Sequence, residues 1–132
     1  MKNNDALTGL NVQFPISQAL ASGEKIVETR TYPLPEKYLN TSLVLIETPG
    51  KSGKFKARAI GLVTFEKCFR YPSKAEFYRD YKRHRVDKQS PWRWTDEKPK
   101  WGWQVGKIEL FTKPKVINQR KGIVFTSNVR LR

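Results

Sequence analysis

Apolar and polar residues alternate from Leu10 to Phe14, with Leu10, Val12 and Phe14 set against Asn11 and Gln13. That two-residue period predicts a short, half-buried strand. Pro15 then suits the opening of a helix, where its fixed φ fits and its missing N–H costs nothing. Ile16, Ala19 and Leu20 form one apolar stripe, and Ser22-Gly23 ends the helix, because glycine readily takes the left-handed conformation of a C-cap. Lys25 to Tyr32 reads as the next strand, with Glu28 and Arg30 on one face together with Ile26 and Tyr32.

Pro33-Leu34-Pro35 interrupts the ladder, and Glu36–Leu39 has the length of one helical turn. Ser42–Thr48 is a strand rich in Leu, Val and Ile. The Gly-rich turn at 49–53 leads into a long strand, Lys54–Tyr71, bent near Gly61, so the two runs form a hairpin. Ser73-Lys74-Ala75-Glu76 fits a capping box. Phe77, Tyr78 and Tyr81 then line a helix reaching about Arg85. Val86–Lys100 is a long polar loop with two prolines and two tryptophans, Trp92 and Trp94. Trp101–Phe111 is strand-like, Pro114 interrupts it, and Gly122–Phe125 supplies a last strand.

The order β-α-β-β-β-α-β-β has no tandem α/β alternation. It predicts an α+β fold, a small and mostly antiparallel β-barrel of about six strands with two main α-helices. The length of 132 residues suits one domain spanning 1–132, with residues 1–9 flexible. No stretch is long and apolar enough for a membrane span, and Met1–Asp5 lacks a signal core. One cysteine, Cys68, cannot make an internal disulfide and reads as a small buried side chain. His84 is the only histidine and is expected at the surface, so no metal-ligand set and no cofactor are expected. A cytoplasmic setting is the expectation.

Charge changes the picture most. Twenty-six Lys and Arg against twelve Asp and Glu leave a net +14, which attracts polyanions, and nucleic acid is the foremost intracellular one. The excess is concentrated in the second half: residues 70–100 hold ten basic and five acidic side chains, and 107–132 hold seven and one.

Three groups of residues carry candidate chemistry. The first is Gly23-x-Lys25-x-x-Glu28-x-Arg30. Its structural reading is a Glu28–Arg30 pair holding a strand, with Lys25 solvated. Its functional reading is a polar cluster at a barrel mouth, where Lys25 and Arg30 bind an anionic or carbonyl oxygen. In an enzyme, Lys25 and Glu28 would be the catalytic acid–base pair. The second group is Trp92, Arg93 and Trp94, aromatic rings interleaved with a cation as base stacking requires, or else a cap on the barrel end. Trp101 and Trp103 suit core packing instead. The third is the cationic helix face with Arg79, Lys82, Arg83 and Arg85, joined by Lys51 and Lys54 on the hairpin turn, as phosphate contacts or as a merely solvated surface. Pro49-Gly50-Lys51-Ser52 lacks the spacing and the following helix of a phosphate loop.

The sequence resembles an ASCH domain, a branch of the PUA-like fold, over roughly residues 10–125. The resemblance rests on the leading helix, the Gly23-x-Lys25-x-x-Glu28-x-Arg30 motif with Tyr32-Pro33, and the strands at 43–46 and 59–63. A Trp-containing strand before Pro114 completes it. It implies a small β-barrel with a cleft beside the motif, and an RNA-binding module. Some members are ribonucleases or amidohydrolases acting on acetylated cytidine. Lys25 matches the lysine of the enzymatic members, and Arg30 the family arginine. Glu28 stands where those amidohydrolases place a nucleophilic threonine, and Thr29 points to the other face of the strand. Binding of single-stranded or structured RNA is therefore the leading expectation. Cleavage of RNA or hydrolysis of a modified nucleoside is the alternative, and an acidic protein partner is a third.

Overall fold

The computed structural model describes residues 7–51, 53–117 and 124–131. Strand β1 (Leu7–Gln13) leads into helix α1 (Ile16–Ser22), then strand β2 (Val27–Arg30) and a 3-10 turn at Glu36–Tyr38. Strands β3 (Leu43–Thr48) and β4 (Arg58–Arg70) follow, then helices α2 (Lys74–Arg79) and α3 (Tyr81–His84), and strands β5 (Trp101–Val116) and β6 (Phe125–Val129).

The six strands form one sheet in the order β2-β5-β4-β3-β1-β6. The β1–β3 pair is parallel, whereas β1–β6, β2–β5, β3–β4 and β4–β5 are antiparallel. The α+β class and the mostly antiparallel pairing match the expectation from sequence; the closed barrel does not. Among the described residues, backbone hydrogen bonds leave β2 and β6 as the two ends of an open sheet. Side chains cross the seam instead: Arg30 on β2 donates from NH2 to the Asn11 carbonyl on β1 at 3.3 Å. Trp103 on β5 stacks on Phe125 of β6 with centroids 6.3 Å apart. Strand alternation reveals which face each strand buries, but not whether the last strand meets the first.

All six residues of β3 are buried, as its unbroken apolar run requires of a strand covered on both faces. Leu43 and Leu45 join Leu10, Leu20, Phe65 and Trp103 on one side. Val44 and Ile46 join Ala57, Ala59 and Val129 on the other. A smaller cluster of Tyr71, Phe77 and Val86 seats α2 and the following loop.

Several boundaries differ from the pattern for identifiable reasons. Strand β1 already begins at Leu7, inside the stretch expected to be flexible. Strand β5 runs through Pro114, because Ala59 pairs with Lys115 while Gly61 pairs with Leu110. Residues 111–114 form a bulge there, where a residue without an N–H to donate does no harm. The last strand is Phe125–Val129, and the expected start at Gly122 lies outside the described residues. The single helix expected up to Arg85 is two short helices meeting at Asp80, and Arg85 closes the second in the left-handed region (φ 62°). At the capping box, the Ser73 hydroxyl accepts from the Glu76 N–H at 3.2 Å. The Glu76 carboxylate turns instead to Arg79.

Candidate nucleic-acid interface

Gly23, in the left-handed conformation (φ 84°), ends α1 with its N–H on the Leu20 carbonyl. The next turn carries the Lys25 N–H back to the Ala19 carbonyl at 3.0 Å. Lys25 thus leaves the helix pointing inward and is 5% exposed, not solvated. Two residues on, the backbone enters β2, where alternation sends Glu28 and Arg30 to one face and Val27 to the core.

These groups converge on one another. Glu28 accepts from Arg30 Nε at 2.7 Å through Oε2, and its Oε1 lies 3.8 Å from Lys25 Nζ. Arg30 NH1 donates to the Tyr32 hydroxyl at 2.9 Å, and its guanidinium lies 5.3 Å from the Trp103 ring centroid. Lys25 Nζ makes its short bond elsewhere, donating to the His84 carbonyl at 2.6 Å. Burial pushes the Lys25 pKa down; the nearby Glu28 charge opposes that and the Arg30 charge adds to it. For Arg30 burial also favours the neutral form, but Glu28 and then Tyr32 outweigh it and the pKa rises.

One member of the cluster carries no signal in the sequence. Lys100, among twenty-six Lys and Arg, is 6% exposed and donates from Nζ to the Trp92 carbonyl at 2.5 Å. Burial lowers its pKa, and the Lys25 charge lowers it further. Lys25 and Arg30 thus pair with one carboxylate, Glu28, and the buried Lys100 ammonium lies near enough to feel the charges of Lys25 and Glu28.

His84 is fully buried, contrary to the surface position expected of it. Its ring stacks on Phe77 at 4.2 Å, and Nδ1 accepts from the Val86 N–H at 2.9 Å. Nε2 must therefore carry the proton and donate to the Phe77 carbonyl at 2.6 Å. The ring is a structural post, and burial lowers its pKa.

The remaining sequence candidates divide by place. Lys82, Arg85, Arg93 and Trp92 are exposed on α3 and the loop after it, and Trp92 is 43% exposed. Arg85 lies 5.7 Å from the ring of Tyr81, itself 38% exposed. Arg79 is open but paired to Glu76, and Arg83 is held by Asp80 at 2.7 Å and by Gln104 at 3.0 Å. Trp94 does not share the exposure of Trp92: it packs near Phe77, and its indole N–H donates to Asp96 at 3.0 Å. The 88–92 stretch turns instead of running extended, so strand alternation does not govern where the two rings point. Lys51 and Lys54 are exposed on the β3–β4 turn, which packs on Gln13 and Phe14. They lie outside the network that joins Lys25 to the 82–93 segment. Trp103 is fully buried and Trp101 packs beside the same core, as expected. Cys68 is half-buried and accepts from the Leu34 N–H at 3.3 Å. Among the described residues, no group of three or more His, Cys, Asp or Glu side chains could hold a metal, and no helix is long and apolar enough to cross a membrane.

Solved structures share this architecture. The ASCH protein of Zymomonas mobilis superposes with a TM-score of 0.70 at 16% identity, over 95% of this chain and 87% of that one. A Tyr-to-Phe variant of the Zymomonas mobilis protein gives 0.69 at 16% identity, over 95% and 89%. A Ser-to-Ala variant gives 0.64 at 16% identity, over 98% and 91%. No family model and no curated protein matches the sequence. The fold is therefore the one these ASCH structures share.

Proposed function

We propose that this protein is an RNA-binding module whose contact surface is α3 and the 85–93 segment, held in place by the buried Lys25–Glu28–Arg30–Lys100 cluster. The observation that carries this reading is the pair of ammonium–carbonyl bonds from Lys25 to His84 and from Lys100 to Trp92. They fix the backbone from which Lys82, Arg85, Arg93 and Trp92 project. An ordered exposed indole amid cations suits base stacking combined with phosphate contact. The fold adds support by its likeness to ASCH proteins. Single-stranded or structured RNA fits better than duplex DNA, because α2 and α3, at six and four residues, are too short to read a groove. Binding of short RNA oligomers at several salt concentrations tests the proposal: affinity that is high at low salt and falls steeply with salt supports it.

A second reading, an enzyme acting on RNA or modified nucleosides, has one observation in its favour. A buried lysine with a depressed pKa beside a carboxylate is the kind of pair that acid–base catalysis uses. The ordering of the site favours binding, since Lys25 already donates to the His84 carbonyl and the Glu28 carboxylate already accepts from Arg30 beside Lys25. Incubation of the purified protein with RNA and with acetylated cytidine, with and without divalent metal, separates the two. Absence of cleavage and of released acetate excludes the enzyme.

A further inference from the structure

A cavity of about 270 Å³ lies between the end of β4 and helices α2 and α3. Its lining shares no residue with the Lys25 cluster, and it includes three arginines from three places in the chain: Arg70, Arg79 and Arg83. We propose that it takes the terminal phosphorylated nucleotide of an RNA strand, a phosphomonoester with its sugar and base.

The two carboxylates of the lining are already engaged. Asp80 is gripped by Arg83 from Nε at 2.7 Å and from NH2 at 2.9 Å, and it accepts the Tyr71 hydroxyl. Glu76 accepts from Arg79 NH1. Arg70 is exposed and has no ion pair among the described residues, so the lining keeps one guanidinium in excess. Arg83 is preset in its plane by Asp80, by Gln104 and by the Phe69 ring, 5.5 Å away. Its Nε–NH2 fork is taken by Asp80, so Arg83 offers an oxyanion only its remaining N–H groups, fixed in direction, and the open fork comes from Arg70. Phe69, Tyr71 and Pro72 give the cavity apolar walls beside these cations, as a base or ribose requires. The volume falls just below the roughly 300–1,000 Å³ typical of small-molecule sites, which admits one nucleotide and not a continuous strand.

This inference deepens the RNA-binding reading and rests on it. The test compares one short RNA oligomer bearing a 5′-phosphate, a 3′-phosphate or only hydroxyl ends, by fluorescence anisotropy at fixed salt, with the native protein and with Arg70→Gln. The expected result is about tenfold tighter binding of one phosphorylated form, the effect of one charge-assisted contact. That preference disappears in Arg70→Gln, while affinity for the hydroxyl-ended oligomer changes little. Equal affinity for all three forms, or a preference that survives Arg70→Gln, overturns the proposal. If no oligomer binds at all, the RNA reading itself fails. The pocket is then judged by calorimetric titration with nucleoside monophosphate against nucleoside: monophosphate binding sensitive to Arg70→Gln upholds it, and no binding overturns it.

Discussion

The Lys25 ammonium donates to the main-chain carbonyl of His84 at 2.6 Å, joining the turn after the first helix to the end of the third. Fifty-nine residues separate the two in sequence. The same joint carries a backbone bond from the Ile26 N–H to the Arg83 carbonyl at 2.8 Å. The motif that looks like a ligand site in the sequence is thus also a bracket for the surface beyond it. Replacing Lys25 by Met keeps the stem and removes the charge, leaving a buried carbonyl without its donor and Glu28 with one cation fewer. A loss of about 1–3 kcal/mol of stability is expected in urea unfolding. Faster amide exchange at Arg85 and Val86 should accompany it, with the core of β3 unaffected.

Arg30 closes the seam that backbone hydrogen bonds leave open, touching Glu28, Tyr32 and the Asn11 carbonyl. Arg30→Met leaves the buried Glu28 carboxylate stranded without its hydrogen-bond donor, with Lys25 at 3.8 Å as the remaining cation, and is expected to cost about 1–3 kcal/mol. Glu28→Gln in the same background should recover part of that loss, because the stranded charge is then gone. A double-mutant cycle measured by denaturant unfolding reads the coupling.

Gly61 has no room for a side chain. A Cβ there would lie 2.4 Å from the Glu109 carbonyl oxygen and 3.0 Å from Leu110 Cα, both on the neighbouring strand. Gly61→Ala must push β4 and β5 apart beside the Pro114 bulge, and a loss of about 1–3 kcal/mol is expected from thermal or urea unfolding.

His84 makes stability depend on pH. Its pKa in the folded protein lies below its ordinary value because the ring is buried, whereas in the unfolded chain it titrates near about 6.5. Below that pH the unfolded state binds more protons than the folded state, so stability falls with acidity. The contribution is complete above about pH 6.5 and is lost as pH drops toward the folded pKa. Urea midpoints should therefore be level from pH 8 to 7 and decline from pH 6.5 to 5, and an NMR titration of the ring should give a midpoint below that of the unfolded chain.

Much of the architecture is legible in the chain. The alternation at Leu10–Phe14, the apolar run at Leu43–Ile46 and the turn at Gly23 gave the right elements, because each depends on neighbours in sequence. Other features depend on distant partners and leave no local trace. Asp80 interrupts the helix where its carboxylate meets Tyr71, nine residues upstream, as well as Arg83. His84 reads as a polar residue on a cationic helix, yet the ring is buried because Phe77 and Val86 satisfy both of its nitrogens and its face. Lys100 reads as one more cation in a polar loop and is instead an internal anchor. Glu28 and Arg30 were recognisable as a pair from their spacing. That Lys25 would be buried with them was not, because its direction is set by the bond from its N–H to Ala19.

Trp92 separates a binding surface from a merely basic one. The ring is exposed while its backbone carbonyl is held by Lys100, so Trp92→Ala should leave the unfolding midpoint unchanged within about 0.5 kcal/mol. The same change should weaken RNA binding by about 1–3 kcal/mol, the value of one stacked base.

The most direct test of the whole account is the salt dependence of RNA affinity, measured by anisotropy from 50 to 300 mM salt with the native protein and with the Lys82→Gln, Arg85→Gln and Arg93→Gln variants. A linear fall of log K with log salt is expected, with a slope reduced by about 0.7 for each of these cations removed. Absence of binding at 50 mM salt, or an affinity indifferent to salt and to all three substitutions, would contradict it.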